Sequence, residues 1–209
     1  MLASIIIVLV VILVSMTLHE LAHGFVAYKL GDTTAKDLGR LTFNPKAHID
    51  PWLSVILPLL LLISGGPIFG GAKPVPINTR QLKYDEWGFA LVAIAGPLTN
   101  FILAFIGYIF WYLAANVFHA PAVAITFWTY WVSVNLGFFA FNLLPIPPLD
   151  GSRVLYALAP DGIRHAMEKL ESFGLIFIIV LVFLAGALLS TVIGAIVGWA
   201  LGLFQFVIG

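Results

Sequence analysis

The chain has 209 residues, of which 61% are hydrophobic and only 10% are charged, whereas about a quarter of the residues in a water-soluble domain are charged. This composition excludes a soluble globular protein and predicts one that crosses a membrane several times. Ten basic residues balance ten acidic ones without a basic cluster, so we expect no nucleic-acid partner. The absence of cysteine excludes disulfides, thiolate metal ligands and a cysteine nucleophile.

The first predicted element is an apolar helix over about residues 3–28. At a rise of 1.5 Å per residue, its uncharged part at 3–18 covers about 24 Å of a hydrocarbon layer about 30 Å thick. The start is not expected to be a cleavable signal peptide, because it has no basic leading region and its apolar stretch runs directly into polar residues.

Those polar residues form the string His19-Glu20-Leu21-Ala22-His23. Because residues four apart share a helix face, His19 and His23 can present ring nitrogens to one Zn²⁺. Glu20 lies beside them, where its carboxylate can take a proton from water at the metal. A catalytic zinc site needs a third protein ligand, which must come from elsewhere in the chain. The string predicts a metallopeptidase whose site lies at membrane depth.

A polar loop and a short apolar stretch follow the first helix. The loop covers 29–50, and its core at 39–43 is a candidate for a short strand or hairpin lying against the bilayer. The apolar stretch at 52–63 would be about 18 Å long as a helix, too short for a full crossing. We therefore expect a re-entrant segment there.

The remaining apolar residues predict two full spans and a hydrophobic tail. The spans lie at about 87–118 and 122–144, joined by a turn of a few residues. The tail at about 173–208 is too long for one upright helix. It is predicted to form a hairpin that turns near 186–191.

Basic residues occur only in three of the predicted loops. They are Lys29, Lys36, Arg40 and Lys46 in the first, Lys73, Arg80 and Lys83 in the second, and Arg153, Arg164 and Lys169 in the third. The turn at 118–121 has none. Because basic loops favour the cytoplasmic side, the first helix is predicted to run inward, with the zinc-binding string near the cytoplasmic face of a cell membrane.

Asp150 is the candidate for the third zinc ligand. It follows a segment in which Pro145, Pro147 and Pro148 unwind the backbone, and such irregular backbone at membrane depth lines a protein or water cavity. It also lies on the same predicted side as the zinc-binding string. The alternative is that Asp150 only caps the helix that begins at Gly151. The presence of the string favours the ligand.

Other polar residues have weaker predicted roles. Asn135 and Asn142 share a helix face, and each either lines the cavity or bonds to a neighbouring helix. His48 is predicted to be an interfacial histidine, with a role beside the metal as the less favoured alternative. Small residues recur every four positions in the tail and predict close helix packing, within the chain or across a homodimer: Gly186, Ser190, Gly194, Gly198 and Gly202.

Two of these strings together resemble a known family. The early HExxH helix and the later Asn142-Leu-Leu-Pro-Ile-Pro-Pro-Leu-Asp-Gly151 resemble the site-2 protease family of intramembrane zinc metalloproteases. The strings at 39–51, 72–76 and 95–100 resemble its compact prokaryotic branch. The resemblance covers about residues 15–156, and the chain has room for neither the PDZ domain nor the nucleotide-binding module of some members.

The resemblance implies a complete catalytic site. One Zn²⁺ per chain is bound by His19, His23 and Asp150, Glu20 is the general base, and Asn142 positions the substrate or stabilises the oxyanion. The reaction it implies is hydrolysis of peptide bonds in transmembrane proteins or peptides by a zinc-activated water.

The predicted fold is an all-α helix bundle embedded in the lipid bilayer. We expect a single membrane-embedded metalloprotease domain over 1–209, with a catalytic core at about 3–158. A metal-ion transporter is one alternative, and it would need a path of polar groups with little use for Glu20. A catalytically silent membrane chaperone of the same fold is the other.

Overall fold

A computed structural model of the chain describes residues 2–50, 56 and 73–208. These residues form a helical bundle without a strand, and four of its helices are long and apolar enough to cross a membrane. The candidate spans are Ala3–Lys29, Asp85–Val117, Ala122–Asn142 and Ile176–Ile208. The predicted all-α membrane bundle is confirmed.

The described residues form seven α-helices. They are α1 (Leu2–Lys29), α2 (Thr34–Asp37), α3 (Asp85–Tyr112), α4 (Ala122–Asn142), α5 (Gly151–Leu158), α6 (Asp161–Glu171) and α7 (Gly174–Ile208). A π-helical turn at Leu113–Val117 extends α3, and short 3₁₀ turns lie at Pro45–Ala47 and Thr79–Gln81.

Helices α1, α3 and α4 form the centre of the bundle. The indole N–H of Trp131 on α4 donates to the carbonyl of Leu103 on α3 over 2.8 Å. Asn135, further along α4, bonds to Asn100, which comes earlier in α3, so these two helices run antiparallel. The backbone N–H of Lys83 donates to the carbonyl of Leu30 over 2.9 Å, which joins the start of α3 to the end of α1. The end of α1, the start of α3 and the end of α4 therefore lie at one end of the bundle.

The first two basic loops meet at this same end. The backbone N–H of Lys73 donates to the carbonyl of His48 over 2.8 Å, and the guanidinium of Arg40 donates to the carbonyl of Lys73 over 2.8 Å. The core at 39–43 consists of a turn and bends, so the strand suggested there does not form. The predicted re-entrant stretch at 52–63 falls, except for residue 56, outside the described residues.

The hydrophobic tail differs from the predicted hairpin. Residues 186–191 are helical, and only Ala185 departs from helical geometry, with φ −118° and ψ 18°. The segment has no proline and no charged residue, and its helix continues past the kink at Ala185. A Cβ built on any of its small-residue glycines, Gly186, Gly194, Gly198 or Gly202, would meet nothing within 4 Å in the described chain. Among the described residues, these four glycines therefore have no close neighbour on another helix.

Candidate metal centre

His19 and His23 lie one turn apart on the buried face of α1, and their Nε2 atoms are 3.0 Å apart. Asp150 Oδ2 is 3.2 Å from the first of these atoms and 3.5 Å from the second. A tetrahedral zinc ion with bonds of 2.0–2.2 Å separates its ligand atoms by about 3.3–3.6 Å. In the described part of the chain, these three side chains form the group that can hold a metal ion.

Hydrogen bonds on the far side of each ring determine which nitrogen faces the site. His23 Nδ1 is 2.8 Å from the carbonyl oxygen of Val92, which can only accept, so Nδ1 carries the proton. His19 Nδ1 is 2.6 Å from Asn100 Oδ1, also an acceptor. In a neutral imidazole the opposite nitrogen, Nε2, then carries a bare lone pair. Two lone pairs and a carboxylate oxygen converge, an arrangement that a cation stabilises.

The electrostatics of Asp150 agree with this donor set. Burial of the Asp150 carboxyl group raises its pKa, but the electrostatic attraction and hydrogen bonding of the His23 and His19 rings outweigh this effect and lower the pKa well below its usual range. Its Oδ2 is buried and has no hydrogen-bond donor in the described chain. The carboxylate therefore favours a cation among the three side chains, and the residues present fit a zinc ion.

Asp150 stands at the N-terminus of α5, yet its side chain makes no capping hydrogen bond. The helix-cap alternative is therefore not realised. The backbone at this point is tightly packed, because a Cβ on Gly151 would lie 2.2 Å from the carbonyl oxygen of Leu143. Only glycine permits this close approach of α5 to the end of α4, and the approach brings Asp150 to the histidines.

Helix α3 forms the wall behind the histidines, a feature that the sequence reasoning missed. Val92, Gly96 and Asn100 are spaced four apart and all are buried, so they share one face of α3. The carbonyl of Val92 faces the ring of His23, and the amide of Asn100 faces the ring of His19. The backbone of Gly96 lies against both rings. The string at 95–100, which includes Gly96 and Asn100, could have indicated this face. It was used only for the family resemblance, and no role was assigned to its residues.

Gly96→Ala is expected to lower zinc affinity at least about tenfold. A Cβ at this position would lie 2.4 Å from His23 Nε2 and 2.6 Å from His19 Cε1, so both rings must shift. Helix propensity favours alanine over glycine by about 1 kcal/mol, and the helix itself should be retained. Gly137→Ala on α4 is the matched control, because a Cβ there would meet nothing within 4 Å in the part of the chain that the structure describes. Zinc affinity and thermal unfolding of both variants are measured, and equal zinc affinities would contradict the expectation.

Glu20 is buried beside the two histidines and is held by a neighbouring segment. Its Oε2 accepts a hydrogen bond of 2.8 Å from the backbone N–H of Val75. Val75 stands between two prolines in the string Lys73-Pro-Val-Pro76, which keeps the residue before each proline extended. Gly24 allows the contact, because a Cβ there would lie 3.1 Å from Val75 Cγ1. The segment thus fixes one carboxylate oxygen of Glu20.

Three other polar residues singled out in the sequence lie outside the three-residue group. Asn142 donates from Nδ2 to the carbonyl of Phe138 on its own helix over 3.1 Å, and its role in catalysis stays a prediction. Asn135 is fully buried and bonds to Asn100 across the α3–α4 contact. His48 lies with Nε2 2.9 Å from the carbonyl of Thr42 and is not among the grouped ligands.

An HExxH helix that meets a buried carboxylate inside an apolar bundle defines an intramembrane metallopeptidase. The model of peptidase family M50 matches residues 7–122 and 112–186, and the chain belongs to this family. The resemblance to the site-2 proteases is confirmed. No solved structure matches the chain.

Similar proteins from several organisms are all named "Putative zinc metalloprotease". YwhC of Bacillus subtilis is 44% identical over 82% of the chain and 78% of its own length. Rip2 of Mycolicibacterium smegmatis is 32% identical over 81% of the chain and 63% of its own length. Rip2 of Mycobacterium tuberculosis is 34% identical over 84% of the chain and 66% of its own length.

Proposed function

We propose that His19, His23 and Asp150 bind one Zn²⁺ and that the chain uses it to cleave peptide bonds of transmembrane substrates. The observation that carries the proposal is the convergence of the Nε2 atoms of His19 and His23 and the Oδ2 atom of Asp150 within 3.5 Å of one another. Membership of peptidase family M50 and the zinc metalloprotease relatives support the activity. The chain is an intramembrane zinc metalloprotease, and neither a transporter nor a silent chaperone finds support.

When bound, Zn²⁺ supplies Lewis acidity, which makes a water molecule more acidic and polarises a carbonyl group. Glu20 acts as the general base that takes the proton of the attacking water, and it later gives that proton to the leaving amine. Because Val75 holds Oε2, Oε1 is the oxygen left for this transfer. Asn142 positions the substrate or donates from Nδ2 to the oxyanion, in exchange for its bond to the carbonyl of Phe138.

A transmembrane substrate must expose its backbone before these groups can act. Carbonyls in a helix are engaged in internal hydrogen bonds, so the substrate unwinds locally near the cleaved bond. The catalytic residues lie within about 3–158 of one membrane-embedded domain. The proposal is tested by incubating the purified chain with a model transmembrane peptide and zinc, with Glu20→Gln as the inactive control.

We place the site toward the cytoplasmic side of a prokaryotic cell membrane. The first two basic loops join at the end of the bundle where α1 ends, and basic loops favour the cytoplasm. The relatives named above are bacterial, which supports a prokaryotic source. A homodimer through the open small-residue stripe of α7 remains a prediction.

Cysteine labelling tests this orientation in a chain that has no cysteine of its own. Thr79→Cys and Asn116→Cys introduce exposed thiols at opposite ends of the bundle. A membrane-impermeant thiol reagent should modify the first only from the cytoplasmic side and the second only from the outside. The opposite labelling pattern would reverse the proposed topology.

A further inference from the structure

A chain of buried amides runs from the candidate metal site through three helices. His19 Nδ1 on α1 is 2.6 Å from Asn100 Oδ1 on α3. Asn100 Nδ2 donates to Asn135 Oδ1 on α4 over 2.9 Å, and Asn135 Nδ2 donates to the carbonyl of Trp131 over 2.9 Å. Both asparagines are 0% exposed.

The carbonyl of Trp131 determines which group donates and which accepts at every step of this series of hydrogen bonds. Because this oxygen can only accept, the NH₂ group of Asn135 faces it and the amide oxygen faces Asn100. The NH₂ group of Asn100 then faces Asn135, which leaves its oxygen for His19. An oxygen at that position requires a proton on Nδ1 and therefore a bare lone pair on Nε2.

Burial of these amides has a cost that packing alone does not offset. A buried amide needs a partner for each polar group, and hydrogen bonds between membrane helices are individually weak. A leucine at position 135 would fill the space without that cost. We therefore expect the two amides to act on the group at the end of this series of hydrogen bonds, which is the ring of His19.

We propose that Asn100 and Asn135 are positioning residues that hold His19 in the tautomer and ring orientation needed to bind zinc. Asn100 acts directly on the ring, and Asn135 acts through Asn100. This inference rests on the proposed function, because it assigns the metal to Nε2 of His19. Residues that orient a metal-binding histidine commonly change metal affinity by 10–100-fold when they are replaced.

The decisive variant is Asn135→Leu, because residue 135 contacts neither a candidate ligand nor Glu20 in the hydrogen bonds of the site. Zinc affinity of the detergent-purified, metal-stripped chain is measured by competition with a chromophoric chelator. Asn135→Leu and Asn100→Leu should each weaken zinc binding by about 10–100-fold. Asn100→Asp keeps an acceptor for Nδ1–H and should bind zinc more tightly than Asn100→Leu.

Leu136→Ala is the matched control for a general loss of stability. Leu136 is 0% exposed on the same helix but belongs to the hydrophobic cluster around Ala104 and Phe204. The cavity left by this substitution should lower the thermal unfolding temperature without changing the zinc affinity of the folded chain. If Asn135→Leu does not fold, Asn135→Ala replaces it in the titration.

The nitrogen-15 chemical shifts of the His19 ring give a readout that is independent of zinc. In the metal-stripped chain they should show a proton on Nδ1, and Asn135→Ala should increase the tautomer with a proton on Nε2. If the wild-type chain binds zinc but the Asn135 variant has the same zinc affinity and the same His19 tautomer, the role of the two asparagines is wrong. The proposed function would not be affected. Failure of the wild-type chain to bind zinc would overturn the proposed function instead.

Discussion

Glu20→Gln is expected to lower kcat/KM for a transmembrane peptide by about 10²–10⁴-fold while the zinc content stays the same. The amide has the shape of the carboxylate, and its oxygen can still accept the hydrogen bond from the backbone N–H of Val75. It cannot take a proton from water at neutral pH, so the step assigned to the base is lost. Cleavage is followed by mass spectrometry, and zinc by metal analysis of the same preparation.

Two further variants make this experiment specific to position 20. Glu168→Gln removes a carboxylate that accepts a hydrogen bond from Tyr156 far along the chain, and it should cleave at the wild-type rate. Glu20→Asp keeps a base but withdraws it by one methylene, and it should retain part of the activity. Undiminished cleavage by Glu20→Gln would remove Glu20 from the mechanism.

The helices of the bundle were predictable because a membrane leaves few choices for an apolar chain. A run of apolar residues of spanning length must satisfy its backbone internally, so α1, α3 and α4 follow from hydropathy alone. The tail was predicted as a hairpin only because of its length, and it forms a kinked helix instead. Length alone does not end a helix, and between 174 and 208 the chain offers no proline or charged residue that would do so.

The ligands of the candidate site could also be predicted from the sequence. The residues that contact and orient them could not. His19 and His23 share a face by spacing, and the prolines before Asp150 mark an irregular turn at the same end. The wall of Val92, Gly96 and Asn100 depends on which face of α3 meets α1, and hydropathy does not determine this rotation. The anchoring of Glu20 by Val75 likewise depends on a loop contact between distant segments.

Asp150→Ala tests the inference that joins the most distant parts of the chain. Removing one of three protein ligands should weaken zinc binding by more than about 100-fold, since loss of a residue that only orients a ligand already costs 10–100-fold. Activity should fall with the metal content. A side chain that merely capped α5 would instead cost about 0.5–2 kcal/mol of stability and leave zinc bound.

Asp161→Ala supplies the matched control for Asp150→Ala. Asp161 also lies at the start of a helix, α6, but its side chain is 88% exposed and pairs only loosely with Arg164 at 3.8 Å. Its removal should leave zinc affinity and cleavage unchanged, because an exposed pair contributes at most about 1 kcal/mol. Zinc titration and thermal unfolding of both variants separate a ligand from a cap. Full zinc occupancy in folded Asp150→Ala would defeat the assignment. His48, whose Nδ1 is buried and has no hydrogen-bond partner among the described residues, would then be the next histidine to replace.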